Sequence, residues 1–165
     1  MASESELIAA LAAVFKLSDA NVRENVLIGI GDDGAVVAPS SRKSVLAADM
    51  AIEGVHFNRE WSTLGEIGAK ITAANLADIY AMGGEPKYLL VSAGLTADFG
   101  IAQVTELAKG IAGEAALVGA SVVGGDISRA EQLVISISVF GEVENPITRS
   151  GAKVEDSVII SGLPG

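Results

Sequence analysis

The sequence predicts an α+β fold, in which a mixed or antiparallel sheet is covered by helices. Three segments with apolar residues at helical spacing are interleaved with apolar stretches of strand length. The clearest strand, residues 133–143, alternates between apolar positions and a second set that includes Ser136 and Ser138. Helices and strands in this order place the chain in the α+β or mixed α/β class. A length of 165 residues suits one domain, which we assign to residues 1–165.

Composition restricts the partners that the protein can have. Half of the residues are hydrophobic and 4% are aromatic, so the core is expected to be largely aliphatic. The net charge of -10 argues against nucleic acid and anionic membranes, which attract basic surfaces. The chain has no cysteine, which excludes disulfides and zinc–thiolate sites. No apolar run reaches the ~18 residues of a membrane-spanning helix. We expect a cytoplasmic protein that binds neither nucleic acid nor membrane.

The first third of the chain predicts one helix and three short strands. Ser3 and Glu6 have the spacing of a capping box, and apolar residues at helical spacing follow, which predicts a helix over residues 4–15. A polar loop is expected over residues 18–25. Short strands are then predicted at residues 26–30, 35–38 and 44–48, with a turn at 31–34 and a hairpin connection at 39–43.

The second helix carries the most informative acid. Thr63 and Glu66 form another capping-box pattern, and the helix that they begin is expected to end near Met82. Asp78 lies two helical turns after Ile71, on the predicted apolar stripe. An acid on the buried face of a helix conflicts with burial, and such conflicts tend to mark functional sites. The stripe consists of Ile67, Ile71, Ala74 and Met82.

The remaining elements are predicted from apolar runs and the polar segments between them. Residues 50–61 lack a clear period and are predicted as a loop, which holds the single histidine, His56. A buried strand, a third helix and two further strands follow, and then a polar loop and the start of another strand. The buried strand is predicted at residues 88–95 and the third helix at 98–118. The two further strands are predicted at 121–123 and 133–143, the polar loop at 148–153 and the start of the last strand at 157–161.

Five aspartates stand at the edges of apolar segments, at turns or on a helix, and we expect the fold to bring them together. Carboxylates without histidine or cysteine partners favour hard cations, Mg²⁺ above all. Mg²⁺ held by a few carboxylates usually keeps positions open for phosphate oxygens, so the pattern favours metal-assisted phosphoryl transfer. A phosphate acceptor would already be ionised, so no catalytic general base is predicted. The five residues are Asp32, Asp33, Asp49, Asp78 and Asp126.

Each of these features also has a purely structural interpretation. Asp-Asp-Gly and Gly-Gly-Asp are common turn sequences, Asp49 could simply end a strand, and Arg149 could be an ordinary solvated charge. A lone histidine such as His56 is more often a surface residue than a functional one. The chain has no Walker-type phosphate loop. Residues 29–34 match the glycine spacing of a dinucleotide-binding loop, but the two aspartates within it would repel a pyrophosphate.

Five motifs are spread along nearly the whole chain. They are Ile28–Asp33, Asp49–Phe57, Ala74–Gly83, Gly124–Asp126 and Thr148–Ala152. In residues and in order they resemble the motifs of thiamine-monophosphate kinases, which belong to a superfamily with aminoimidazole ribonucleotide (AIR) synthetase. The resemblance implies an AIR synthase-like N-terminal domain that binds ATP and metal. It also implies a homodimer, in which the sheets of two copies pair into a barrel.

The same resemblance implies an enzyme that uses ATP and Mg²⁺ to phosphorylate thiamine monophosphate to thiamine diphosphate. Site residues are carried over motif by motif. The metal ligands would be Asp33, Asp49, Asp78 and Asp126. The ATP contacts would be Gly125, Asp126 and Arg149, and the contact to thiamine monophosphate would be His56.

Two departures from the family pattern bear on the metal sites. Ala47 and Ala48 stand where hydroxyl residues are common in the family, and Ile127 stands where threonine is usual. We therefore expect the number or the affinity of bound metals to differ. Family members continue into a second domain, so the resemblance implies a fragment or a shortened homologue, with weak or no kinase activity from these residues alone. Two alternatives stay open, namely another ATP-using relative such as a selenophosphate synthetase, and a non-catalytic dimerisation module.

Overall fold

The computed structural model describes residues 2–18, 25–160 and 162, and it shows the predicted α+β fold. A four-stranded sheet forms the centre, and helices cover one of its faces. A separate two-stranded ribbon precedes this sheet in the chain. The helices are α1 (Glu4–Ser18), α2 (Leu64–Ala81) and α3 (Ile101–Leu117). The strands are β1 (Val26–Ile28), β2 (Val36–Val37), β3 (Lys43–Ile52), β4 (Glu85–Leu95), β5 (Ser121–Arg129) and β6 (Val134–Val143).

The four-stranded sheet is mixed, with the strand order β3-β6-β4-β5. β6 pairs antiparallel with β3 and β4, whereas β4 and β5 run parallel. The alternation predicted for β6 is confirmed. Its odd-numbered side chains are buried against the helices, and its even-numbered side chains are half-buried on the other face, which we call the open face. The buried set includes Ile135, Ile137 and Val139.

Helix α2 begins where the capping-box pattern predicts. The backbone N–H of Thr63 donates to Oε2 of Glu66 at 2.8 Å, and the N–H of Glu66 donates to Oγ1 of Thr63 at 3.2 Å. These bonds use backbone N–H groups at the helix start that the helix itself leaves unpaired. The bond from the Thr63 backbone also holds the pKa of Glu66 below its usual value. The same pattern at Ser3 and Glu6 begins α1.

Glycines allow α2 and α3 to cross closely. A Cβ atom on Gly110 would lie 2.0 Å from the carbonyl oxygen of Gly65, and one on Gly68 would lie 2.5 Å from the carbonyl oxygen of Leu107. Any larger side chain at these positions would push the helices apart, because protein interiors are close-packed. Around this crossing the core is mostly aliphatic, as the composition predicts.

The structure corrects three predictions about strands. β3 continues to Ile52, so Asp49 lies inside the strand and not at its end. Residues 124–126 continue β5 and do not form a turn, because their backbone stays paired with β4. In both places pairing with a neighbouring strand extends the strand past the residue where the local sequence predicts its end. Residues 157–160 form no strand, since none of the described strands pairs with them, and residue 161 lies outside the described part of the chain.

The remaining predictions differ in how far the structure tests them. The loop predicted over residues 18–25 falls mainly on residues 19–24, which lie outside the described part of the chain. The third helix is confirmed, although its range is shorter than the predicted 98–118. Among the described residues, no helix is both long enough and apolar enough to cross a membrane.

Candidate functional site

Asp49 lies in the edge strand β3, next to α2. Its backbone N–H donates a 3.0 Å hydrogen bond to Oδ1 of Asn75, and its carbonyl oxygen accepts one from the Ser136 hydroxyl at 3.3 Å. Asn75 is fully buried, and its Nδ2 donates to the carbonyl oxygen of Ile71 at 2.9 Å. The Asn75 amide therefore uses both of its polar atoms, and it fixes the helix against the strand. Asp49 itself remains exposed.

Asp78 lies on α2, one turn after Asn75, and is exposed. The prediction that Asp78 belongs to the buried stripe is therefore wrong, and Ala74 is exposed as well. The side of α2 that faces the core instead carries Ile71, Asn75 and Ile79, at four-residue spacing. The helix thus buries an amide and leaves the acid in solvent, where a cation can reach it at little desolvation cost.

Gly125 and Asp126 lie in β5, at the opposite edge of the sheet. Gly125 has a φ of 157°, and a Cβ atom there would lie 1.9 Å from the carbonyl oxygen of Val91. Glycine is required by this close approach of two backbones. Asp126 is exposed and pairs with Ser92 in the strand register, and its Oδ2 accepts a 3.4 Å hydrogen bond from the Ser128 hydroxyl.

The strand register shows how far apart the two edges lie. One row of paired residues crosses the whole sheet. It consists of Asp49, Ile137, Val91 and Gly125. Three strand spacings put Asp49 roughly 14 Å from Gly125, the neighbour of Asp126. A single Mg²⁺, with ligand distances of about 2.1 Å, cannot bridge the two edges of one sheet.

Asp32 and Asp33 lie in the turn of the β1–β2 ribbon, which is separate from the main sheet. The N–H of Asp33 donates to Oδ1 of Asp32 at 3.0 Å, and both residues are exposed. Among the described residues, no three His, Asp or Glu side chains are grouped closely enough to hold a metal ion. The structure therefore links Asp49 to the helix of Asp78, and it leaves the other acids on separate elements. Their roles as metal ligands stay a prediction.

His56 is exposed in the loop between β3 and α2, which we call the 53–58 loop after its residues. The backbone N–H of Ile52 donates to Nδ1 of His56 at 3.0 Å. Because Nδ1 is the acceptor, the neutral ring carries its hydrogen on Nε2, which can donate to a ligand. Lys70 of α2 donates to the carbonyl oxygen of His56 at 3.1 Å. The loop is therefore held both by the strand and by the helix.

Arg59, which the sequence patterns do not single out, joins this loop to a second one. Its Nε donates to Oε1 of Glu53 at 2.6 Å, and its Nη1 donates to Oδ2 of Asp98 at 2.7 Å. Its guanidinium carbon lies 5.5 Å from the ring centroid of Phe99. The bond to Glu53 raises the pKa of Arg59, and bonds from Thr96 and then Arg59 lower the pKa of Asp98. The Asp98 partner is 39 residues away in the chain, so no local pattern reveals it.

A cavity of about 190 Å³ opens beside the 53–58 loop. Trp61, the single tryptophan of the chain, borders it and is 82% exposed. The exposed Val55 and the side chain of Lys70 border the same cavity. Glu66 also borders the cavity, but its carboxylate is bonded to Thr63. The aromatic ring, the apolar side chain and the cation suit a ligand that has both a ring and an anionic group. Sequence patterns do not single out Trp61, because a loop residue has no periodicity.

Arg149 lies in the exposed segment after β6. It belongs to a turn in which the N–H of Gly151 donates to the carbonyl oxygen of Thr148 at 3.0 Å. The structure places it on no helix or strand, so its side chain is not directed by a regular element. Its predicted contact with ATP stays a prediction, as does the predicted contact of His56 with thiamine monophosphate.

The sequence and this arrangement match a known family. Residues 31–143 match the family described as AIR synthase related protein, N-terminal domain. The chain belongs to this family. The matched residues include the main sheet of this AIR synthase related domain, its helices α2 and α3, and the three aspartates of the sheet and α2. The fold class predicted from the sequence is thereby confirmed.

Relatives of this AIR synthase related domain include the thiamine-monophosphate kinase of Mycobacterium tuberculosis, which is 37% identical over 142 residues, 85% of this chain and 43% of the relative. The crystal structure of thiamine-monophosphate kinase from Stenotrophomonas maltophilia has a TM-score of 0.71 at 31% identity, over 86% of this chain and 43% of that one. A structure described as AaThiL complexed with AMPPCP and TMP has a TM-score of 0.66 at 32% identity, over 93% of this chain and 48% of that one. This chain spans less than half the length of these relatives.

Proposed function

We propose that this domain forms the ATP- and metal-binding part of a thiamine-monophosphate kinase, which uses ATP and Mg²⁺ to convert thiamine monophosphate to thiamine diphosphate. One observation carries the proposal. The chain is 32% identical, over 93% of its length, to a protein whose structure is described as a complex with AMPPCP, an ATP analogue, and TMP. A reaction that consumes ATP also favours a cytoplasmic location.

The proposed reaction joins two phosphate groups. An oxygen of the phosphate of thiamine monophosphate attacks the γ-phosphorus of ATP, the bond from that phosphorus to the β,γ-bridging oxygen breaks, and ADP leaves. The attacking oxygen is already ionised at neutral pH, so the reaction needs alignment and charge neutralisation rather than a general base. Exposed carboxylates that can hold cations beside the phosphates meet this need.

The exposed aspartates are donors of the kind that Mg²⁺ prefers, although no three described His, Asp or Glu side chains of one copy are grouped closely enough to form a complete site. These aspartates offer oxygen ligands, and they leave room for the waters of Mg²⁺ and for phosphate oxygens. Ala47 and Ala48 offer no side-chain oxygen, so these positions can contribute through backbone carbonyls alone. When bound, Mg²⁺ supplies neutralisation of the phosphate charge. The proposed ligands are Asp33, Asp49, Asp78 and Asp126, with Gly125, Asp126 and Arg149 at ATP.

His56 is the proposed contact to thiamine monophosphate. Its Nδ1 accepts the hydrogen bond from the Ile52 backbone, so the neutral ring carries its hydrogen on Nε2, and the residue is exposed. Such a donor suits a phosphate oxygen. Trp61 and Val55 border the adjoining cavity, and they offer apolar surface to the rings of the same substrate.

We also propose that two copies form a homodimer through the open faces of their sheets. On this face Leu46 is 62% exposed and Met50 is 56% exposed, and Phe140 pairs between Leu46 and Tyr88. An apolar face of this kind is expected to bury against a partner. Closing two sheets into a barrel would set their edges side by side. The acids of β3 and β5 would then lie on neighbouring edges, with Asp126 on the open face and Asp49 on the helix-covered face.

Calorimetric titration of ATP into the protein, first with Mg²⁺ and then with EDTA, tests the proposal. We expect binding in Mg²⁺ that is lost in EDTA and in Asp78→Asn. Glu106→Gln is the matched control, since it removes an exposed carboxylate from α3 instead of α2, and it should leave binding unchanged. ATP binding that persists in EDTA would contradict the metal role. Phosphorylation of another acceptor, with none of thiamine monophosphate, would overturn the substrate assignment.

A further inference from the structure

We propose that Arg59 is a positioning residue, which holds the 53–58 loop and thereby directs His56 toward the substrate. The inference rests on the proposed function, because it takes His56 as the contact to thiamine monophosphate. Arg59 would not touch the substrate itself, since its guanidinium is already engaged by two carboxylates. Its effect would reach the substrate through the conformation of the loop.

The ion pair between Arg59 and Glu53 closes the loop at its base. Glu53 is the first residue of the loop and Arg59 follows its last, and the Arg59 Nε to Glu53 Oε1 distance is 2.6 Å. Inside the loop, the N–H of Gly54 donates to the carbonyl oxygen of Phe57 at 2.8 Å. The N–H of His56 donates to the carbonyl oxygen of Ile52 at 2.9 Å. The ion pair and these hydrogen bonds together restrain the backbone conformation at His56.

The second carboxylate ties the loop to the core. Asp98 lies in the connection between β4 and α3, and Nη1 of Arg59 donates to it at 2.7 Å. The Thr96 hydroxyl donates to the other oxygen of Asp98 and so holds that carboxylate in place. Beside it, Phe99 is buried in the core, and the Arg59 guanidinium lies over its ring. A loop that is otherwise exposed thus gains a fixed point on the body of the domain.

The loop needs such support because much of it faces solvent. Gly54, Val55 and His56 are exposed, while Phe57 is buried and anchors the end of the loop. The ring of His56 is oriented by its bond from the Ile52 backbone, which persists while the loop keeps its conformation. A shift at the loop base would move Nε2, and displacement of a contacting atom by about 1 Å is enough to weaken positioning.

Arg42 provides a matched control. It also contacts two carboxylates, Glu85 at 3.0 Å and Glu142 at 3.8 Å, and its side chain is 29% exposed, against 30% for Arg59. The two arginines flank β3 at opposite ends, so loss of Arg42 removes similar ion pairs far from His56. An effect of Arg59→Gln that Arg42→Gln does not reproduce is therefore specific to the 53–58 loop.

Amide hydrogen exchange of Gly54 and His56 in the ligand-free protein tests the positioning directly. We expect Arg59→Gln to speed this exchange about tenfold, the effect of losing two partly exposed ion pairs and a cation–π contact. Exchange in α2 should stay unchanged. Arg42→Gln should leave Gly54 and His56 unaffected. Unchanged exchange in Arg59→Gln, or an equal rise in Arg42→Gln or throughout α2, would overturn the proposal.

Substrate binding supplies the second readout. We expect Arg59→Gln to weaken binding of thiamine monophosphate about five- to tenfold, with ATP binding in Mg²⁺ unchanged, and Arg59→Lys to recover part of the loss. Equal weakening for both ligands would contradict a role confined to the loop. If the parent protein binds ATP but no thiamine monophosphate, the proposed function fails. The exchange comparison then still decides whether Arg59 holds the loop.

Discussion

The backbone N–H of Asp49 donates to the buried side-chain oxygen of Asn75 at 3.0 Å, which ties the edge strand β3 to helix α2. Asn75→Leu leaves this N–H without that acceptor, so we expect a loss of about 1–3 kcal/mol in the free energy of unfolding. ATP binding in Mg²⁺ should weaken too, because Asp49 is no longer fixed beside α2. Urea denaturation and calorimetry measure the two effects.

Thr72→Val is the control for this substitution. Thr72 is also fully buried on α2, but its hydroxyl donates to the carbonyl oxygen of Gly68 in the same helix, at 2.8 Å. Its removal should cost less than about 1 kcal/mol, because such local bonds add little to a helix. Equal losses of unfolding free energy for Asn75→Leu and Thr72→Val would show that the hydrogen bond to β3 is not the source of the destabilisation.

Gly125 lies where β4 and β5 approach closely, so its substitution should have a large effect on the free energy of unfolding. A Cβ atom there would lie 1.9 Å from the Val91 carbonyl oxygen, so Gly125→Ala should lower the free energy of unfolding by about 3 kcal/mol. Gly113, in the exposed middle of α3, has open space around its position. Gly113→Ala should raise stability by about 0.5–1 kcal/mol. Thermal or urea unfolding of both variants checks the opposite signs.

Trp61 offers a direct optical test of substrate binding near His56. Because it is the single tryptophan and borders the cavity beside the loop, thiamine monophosphate should change its fluorescence emission. His56→Ala should weaken the apparent affinity about tenfold, as expected for a lost hydrogen bond to a charged group. Inorganic phosphate serves as the ligand control and should leave the emission unchanged. Calorimetric binding without any change in emission would place the substrate elsewhere.

The open face of the sheet predicts the oligomeric state. Leu46→Glu places a charge on the proposed dimer interface, so sedimentation velocity should show a shift from dimer to monomer. Leu117→Glu changes a residue that is 78% exposed at the end of α3 and should leave the dimer intact. A parent protein that is monomeric at high concentration would rule out the barrel.

The pairing of Asp98 gives a pH dependence with a defined sign. Bonds from the Thr96 hydroxyl and from Arg59 lower the pKa of Asp98 in the folded protein below its ordinary value of 3.8. The contribution to stability is therefore present above about pH 4 and is lost as pH falls through the lower folded pKa. Asp98→Asn should cost up to about 1 kcal/mol at pH 7, and less at pH 3. Urea unfolding at both pH values checks this, and a cost that grows toward acid would contradict it.

Local signals in the sequence were enough to determine much of the fold. The capping boxes at Ser3 and Thr63 correctly marked the starts of α1 and α2, because their hydrogen bonds join residues only three positions apart. The alternation along β6 correctly divided its buried and open faces, since successive side chains of a strand point to opposite sides. The motif aspartates could also be named from the sequence, as positions where carboxylates interrupt apolar segments.

Tertiary structure decided where those aspartates stand. Pairing with β6 and β4 placed Asp49 and Asp126 inside strands, because ladder hydrogen bonds outweigh the local signals for a strand end at Asp49 and for a turn at Asp126. The side of α2 that meets the sheet buried Asn75 and left Asp78 in solvent. Arg59 forms an ion pair with Asp98, which lies 39 residues further along the chain. The sequence by itself determined the elements and the candidate acids, while contacts between distant segments decided their surroundings, because such contacts exist only once the chain is packed.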